Sequence, residues 1–292
     1  MSMPLSVGQR QPGVAISRGN VVLFYTYEGY IYKRLFPYGG TVWGDAAEFR
    51  PGDHARLADQ NGLLWVVWHE PVPPDYLNYA TSVDGGASFI SPVLVADDAD
   101  MPEVCLLGNG FMAIVYRQVS TGDILLRTEQ DNFVAVTTID SPGVDILQIV
   151  MCSHLGRIFV VWVEEETVKY RYSEDDGVTW STSTTLGTYT GISLLSLPTE
   201  HLLAVTEYHH TLYGMISRDN GITWDAAHTM WLPEAAIEPV LLLDTYNDVV
   251  VFSSELNIDV PTQHTYSIKL RDLPLYAFRG EVLDTWGPLN IV

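Results

Sequence analysis

The chain of 292 residues is 47% hydrophobic and only 17% charged, enough apolar material for a sizeable core. Its 15 basic residues against 36 acidic ones give a net charge of −21, which would repel a phosphate backbone and excludes nucleic acid as a partner. No apolar run approaches membrane-spanning length, and residues 1–20 hold no signal-peptide core, so membrane insertion and signal-led export are not expected.

In chain order, six very apolar segments recur, each ending near an aromatic or polar turn. They are Val21–Tyr25, Leu63–Trp68, Phe111–Tyr116, Arg157–Trp162, Leu202–Thr206 and Val249–Phe252. Short segments rich in β-branched and aromatic residues, with glycine between them, read as strands rather than helices. Three octets punctuate the pattern: Ser82–Phe89, Ser173–Trp180 and Ser217–Trp224, all of the form S-x-D-x-G-x-(S/T)-(W/F). Asp175 and Asp219 stand 44 positions apart, and Asp84 and Asp175 stand 91 apart, close to two such steps. Degenerate copies fall where the period requires them, at Thr128–Phe133 and at Tyr38–Trp43. A period of 40–50 residues with four short strands in each is the mark of a propeller blade. The predicted blades span 13–50, 54–96, 102–140, 146–188, 191–232 and 237–282, in one all-β domain of six four-stranded antiparallel blades. The sixth unit lacks a recognisable octet, and its last strand is placed at Leu275–Val282 or supplied by Pro4–Gln9.

The octet has a physical rationale. Its glycine accepts the positive φ of a tight turn, its aspartate accepts backbone N–H groups across that turn, and its aromatic can fill the gap between neighbouring sheets. Cys105 and Cys152 lie in apolar runs and read as buried free thiols. With no CxxC motif and no Cys/His cluster, neither a metal nor a cofactor is expected.

These octets resemble the Asp boxes of sialidase-like propellers, and the resemblance extends over roughly residues 13 to 280. It implies that Ser82, Asp84, Gly86, Phe89, Ser173, Asp175, Gly177, Trp180, Ser217, Asp219, Gly221 and Trp224 are structural, on the face opposite the working one. The working face would then be built where the second strands end. A ring of glutamates and aromatics is expected there, with Trp68, Glu70, Tyr116, Arg117, Trp162, Glu164, Glu207 and Tyr208 as candidate ligand-binding residues. His69, His209 and His210 sit nearby, without the spacing of metal ligands. The sialidase pattern itself is missing: there is no Arg-Ile-Pro motif, and of the arginines only Arg117, with Arg56, is placed to reach that face. Sialidase activity is therefore not expected.

The function expected from the residues is that of a non-catalytic propeller serving structure or recognition, such as a bacteriophage tail or surface component. Its partners would be other structural proteins of an assembly or surface glycans. It would reside in the virion if phage-encoded and otherwise in the cytoplasm. The alternative is a glycoside hydrolase or carbohydrate-binding protein using the acidic, aromatic face, since glycosidases work with paired carboxylates.

Overall fold

A computed structural model describes residues 13–37, 43–230, 236–243, 249–255 and 263–268. The first sheet holds β1 (Gly13–Ser17), β2 (Asn20–Tyr27), β3 (Tyr30–Phe36) and β4 (Ala47–Pro51). The second holds β5 (Asp53–Gln60), β6 (Leu63–Glu70), β7 (Tyr76–Ser82) and β8 (Val93–Ala96), and the third β9 (Ala99–Leu106), β10 (Met112–Gln118), β11 (Ile124–Thr128) and β12 (Thr137–Asp140). The fourth holds β13 (Ile146–His154), β14 (Arg157–Glu164), β15 (Thr167–Ser173) and β16 (Thr184–Thr188). The fifth holds β17 (Gly191–Ser196), β18 (Leu202–Tyr208), β19 (Thr211–Ser217) and β20 (His228–Thr229).

These are five antiparallel four-stranded blades, each in simple up-and-down order. A further sheet, β21 (Ala236–Leu243), β22 (Val249–Glu255) and β23 (Gln263–Ile268), has three strands among the described residues. The expectation of six four-stranded blades is thus corrected to five four-stranded blades among the described residues. The residues after β23, where a fourth strand of the last unit would fall, lie outside the described residues. Both proposed sources of its closing strand, 275–282 and 4–9, lie outside the described residues.

The core lies between blades, not within them. On β6, Leu64, Val66 and Trp68 pack toward Phe24 and Ile31 of the first blade, while Trp65 and Val67 pack toward Met112, Ile114 and Tyr116 of the third. On β14, Ile158, Val160 and Trp162 face the third blade, and Phe159, Val161 and Val163 face the fifth. Side chains alternate along a strand, so a strand buried on both faces must be apolar at every position. That is why the second strands read as continuous apolar runs.

The octets fasten the blades at one end of the ring, on the turns from third to fourth strand. In each, the serine hydroxyl donates to the aspartate and accepts the glycine N–H: Ser173 Oγ lies 2.8 Å from Asp175 Oδ1 and 2.8 Å from Gly177 N. The aspartate then accepts the N–H and hydroxyl of the residue four places on, Thr179 for Asp175 at 2.8 and 2.6 Å. Ser82–Ser88 and Ser217–Thr223 repeat the pattern. The turn backbone is gripped by the preceding blade. Lys33 donates to the carbonyls of Gly86 and Ala87, Arg157 to that of Asn220, and Tyr170 to that of Gly221.

The octet aromatics sit where expected but less deeply. Phe89, Trp180 and Trp224 are half-buried, each packed against the cluster its own blade forms with the preceding one. The degenerate copy at 128–133 forms a short 3-10 turn, and there Phe133 is buried against Trp65 and Tyr79 of the second blade. Of the other degenerate copy, Tyr38 to Val42 lie outside the described residues. Cys105 and Cys152 are buried free thiols, and burial pushes the Cys152 thiol up to about 12.

Candidate functional site

Because neighbouring strands run antiparallel, the inner strands begin at the end of the ring where the second strands finish, opposite the octets. Asp53, the first residue of β5, pairs with His69 near the end of β6. At this end the register of the inner strand slips in the second, third and fourth blades, between Asp53 and Arg56, at the Val115–Arg117 step of β10, and between Ile146 and Gln148. Such bulges bend a strand and re-aim its side chains.

The bulged ends surround a cavity of about 210 Å³. Its polar lining comes from His54, Arg56, Gln148, Thr190, the backbone at Gly191, and Glu207. Met101, Leu147 and Ile149 supply apolar surface. Four consecutive blades therefore contribute to one pocket.

Each polar group is held in place. Gln148 binds the backbone of Ile192 as a neighbouring strand would, donating to its carbonyl at 2.8 Å and accepting its N–H at 3.0 Å. The Thr190 hydroxyl reaches the carbonyl of Glu207 at 3.1 Å. Arg56 Nε donates to Glu103 Oε1 at 2.5 Å, joining the second and third blades. Burial raises the pKa of Glu103, and the Arg56 guanidinium opposes that rise.

Beside the cavity lies a second polar cluster. His69 Nδ1 is 2.7 Å and His54 Nδ1 2.6 Å from the same Asp53 oxygen, and His69 Nε2 is 3.2 Å from Asp75. Burial would raise the Asp53 pKa, but the contacts with the two histidines outweigh it and hold the carboxylate low.

The candidate residues from the sequence divide into three groups. Glu207 lies in the cavity, with 8% of its surface exposed. Trp68, Trp162 and Tyr116 are instead buried between blades, at 1%, 0% and 2% exposure. Their rings already face neighbouring blades, so the expected stacking platform does not form. Glu164 is likewise buried, accepting from Trp162 Nε1 and Lys169 Nζ, both at 2.6 Å. The remainder stand at the face but are engaged or apart from the cavity lining. Arg117 forks onto Asp100, with Nε–Oδ1 2.8 Å and Nη2–Oδ2 2.5 Å, and Glu70 accepts from Asn78 at 3.3 Å. Tyr208 is half-buried beside the ring of His209. The expected ring of glutamates therefore breaks up: Glu164 is buried against Trp162 and Lys169, Glu70 binds Asn78, and Glu207 lines the cavity. Sequence reasoning missed Asp53, His54, Asp75, Gln148 and Thr190, because they stand at strand starts and in loops rather than at the ends of the apolar runs.

No family model and no curated protein matches this sequence. Solved structures do match. One is a protein of unknown function from Dyadobacter fermentans, with TM-score 0.71, 14% identity, and coverage of 91% of this chain and 95% of that one. An α-L-arabinofuranosidase from Fusarium graminearum in complex with arabinobiose has TM-score 0.69 and 10% identity, covering 93% of this chain and 97% of that one. A sialidase from Hadza microbes has TM-score 0.65 and 13% identity over 92% of this chain, which spans 66% of the sialidase's length. At these identities the likeness concerns the fold: the chain has the sialidase-like β-propeller fold.

Proposed function

We propose that this protein recognises a neutral sugar residue in the cavity at the convergence of its inner strands. One observation carries the reading. Arg56, Gln148, Thr190 and Glu207, from separate blades or strands, converge on a single cavity of about 210 Å³. That volume is below the roughly 300–1,000 Å³ of clefts that take drug-sized ligands, and suits one sugar ring with its hydroxyls bonded. A polar cavity favours recognition over a purely structural part in a virion. The described lining offers one carboxylate, Glu207, whereas glycoside hydrolysis ordinarily needs two. Binding is therefore the reading adopted. The solved arabinofuranosidase and sialidase propellers make carbohydrate the ligand class to try first.

The same reading treats the octets as Asp boxes with a structural role. It takes β21–β23 as a sixth blade that closes the ring, supported by the packing of β21 against both β17 and β1.

The test is a glycan array followed by calorimetry with arabinobiose and other neutral oligosaccharides. Glu207→Gln should weaken binding about 10- to 100-fold, as loss of a hydrogen bond to a charged group does. Gly191→Ala should narrow the cavity at no cost to the fold, because a Cβ there meets Glu207 Oε2 at an ordinary 3.4 Å. Absence of binding to every glycan, or binding indifferent to both substitutions, would refute the proposal. Release of sugar from the same probes would transfer the site to the hydrolase reading.

A further inference from the structure

Asp53 and His54 are consecutive residues of β5, and in a regular strand their side chains would point to opposite faces. Here they converge. The strand bulges between Asp53 and Arg56, and His54 takes a φ of 49°, in the left-handed region. Two aligned departures from regular strand geometry thus bring Asp53 Oδ1 and His54 Nδ1 within 2.6 Å, with His69 Nδ1 of the adjoining β6 2.7 Å from the same oxygen.

The orientation of His69 is informative. Its Nε2 faces Asp75 Oδ1 at 3.2 Å, so the hydrogen on that nitrogen is directed to a carboxylate. In the neutral ring this turns the Nδ1 lone pair toward an Asp53 oxygen, a repulsion that either a proton on Nδ1 or a bound cation relieves. Histidines bound to a metal characteristically donate their other ring N–H to a carboxylate, which fixes the tautomer and turns the lone pair toward the ion. A divalent ion on the three converging atoms would satisfy them together. A zinc-class ion binds such nitrogens and oxygens at about 2.0–2.2 Å, which asks for ligand atoms on the order of 3.3 Å apart, so the Asp53 contacts of 2.6 and 2.7 Å would open by roughly 0.6 Å on binding. Asp53, His54 and His69 offer theirs within 4.8 Å of one another.

We propose that Asp53, His54 and His69 bind a divalent transition-metal ion of the zinc class, with Asp75 as the positioning carboxylate behind His69. Two imidazoles and one carboxylate form a borderline set that suits zinc better than the harder magnesium or calcium. Three protein ligands leave a tetrahedral ion one position open, and His54 also lines the cavity, so the ion would sit at the cavity's margin. No metal is expected from the sequence, because it holds no CxxC motif and no Cys/His cluster, and the ligands 53, 54 and 69 follow no finger-like spacing. The inference stands apart from the sugar proposal, since its readout requires no glycan.

The test uses the full chain, stripped with a chelator and titrated with Zn²⁺ in competition with a chromophoric chelator. Co²⁺ absorption serves as a second readout. About one ion per chain is expected, with the visible Co²⁺ bands of a low-coordinate site. Asp75→Asn should keep the stoichiometry but weaken binding about 10- to 100-fold, as changes to outer carboxylates do. His54→Asn, chosen because asparagine tolerates left-handed backbone, and His69→Ala should abolish binding. Near-UV circular dichroism checks each fold; if His69→Ala fails to fold, His54→Asn and Asp75→Asn decide. Substoichiometric binding by the native chain, or binding that survives His54→Asn unchanged, would overturn the site.

Discussion

Gly221, in the octet of the fifth blade, lies directly against the ring of Phe159 in the fourth, so close that an added Cβ would collide with ring carbons Cε1 and Cζ. Gly86 stands in the same way over Val22, and Gly177 over Leu126, each octet glycine meeting the preceding blade. The glycine therefore answers two demands at once: its φ of 77° suits the turn, and its lack of a side chain admits the neighbouring blade.

Gly221→Ala should consequently destabilise the protein by about 2–4 kcal/mol, combining the left-handed penalty with overpacking. Gly29→Ala is the control. Gly29 has a φ of 79° but nothing near its Cβ position, so only the backbone penalty of about 1–2 kcal/mol applies. Urea unfolding of both variants measures the difference, and equal losses would show that contact with Phe159 is unimportant.

The octet aspartates should govern acid stability. Hydrogen bonds from the Thr179 hydroxyl and N–H hold the Asp175 pKa down at about 2, and those from Thr223 do the same for Asp219. Unfolded aspartate titrates near ~3.9. A depressed folded pKa means that the stabilisation is complete above the unfolded value and disappears as pH falls through the folded one. Thr179→Val removes the largest contribution, so the Asp175 pKa should rise and the midpoint of acid unfolding should move to higher pH. Carboxylate titration by NMR checks the first effect and fluorescence the second.

Trp162 should behave as a core residue. It is fully buried, and its indole N–H donates to Glu164. Trp162→Ala should cost about 3–5 kcal/mol in equilibrium unfolding. The Trp162→Phe variant, which keeps most of the ring, should fold and bind as the native chain does. A loss of glycan binding in Trp162→Phe with unchanged stability would restore this residue to the site.

The two thiols should be silent. Cys105 and Cys152 are both buried, and burial raises both pKa values, that of Cys152 to about 12. A disulfide-exchange reagent at mildly alkaline pH should label neither in the folded chain and both in denaturant, because only thiolate reacts.

Much of the fold was written locally and repeatedly, and so was legible. The octets announce their turns, since Ser, Asp and Gly at fixed spacing satisfy one another within eight residues wherever they occur. The continuous apolar runs announce strands covered on both faces. The same local logic expected a four-stranded final unit, of which three strands fall among the described residues, and could only suggest how deep Trp180 and Trp224 would lie. Function was the less legible part, because the cavity and the histidine cluster depend on contacts between residues far apart in the chain. Trp68 and Trp162 stand at the right end of their strands, yet the stacking of neighbouring blades buries their rings, and no local pattern records which way a neighbour will press. Asp53, His54 and His69 converge through a bulge and a strand pairing, and Gln148 and Glu207 meet at a cavity between separate blades. The sequence by itself determined the blades, because each octet turn closes through hydrogen bonds within its own eight residues and each second strand is apolar along its length. The tertiary structure alone decided which polar side chains share a site, because that depends on how the blades stack around a common axis.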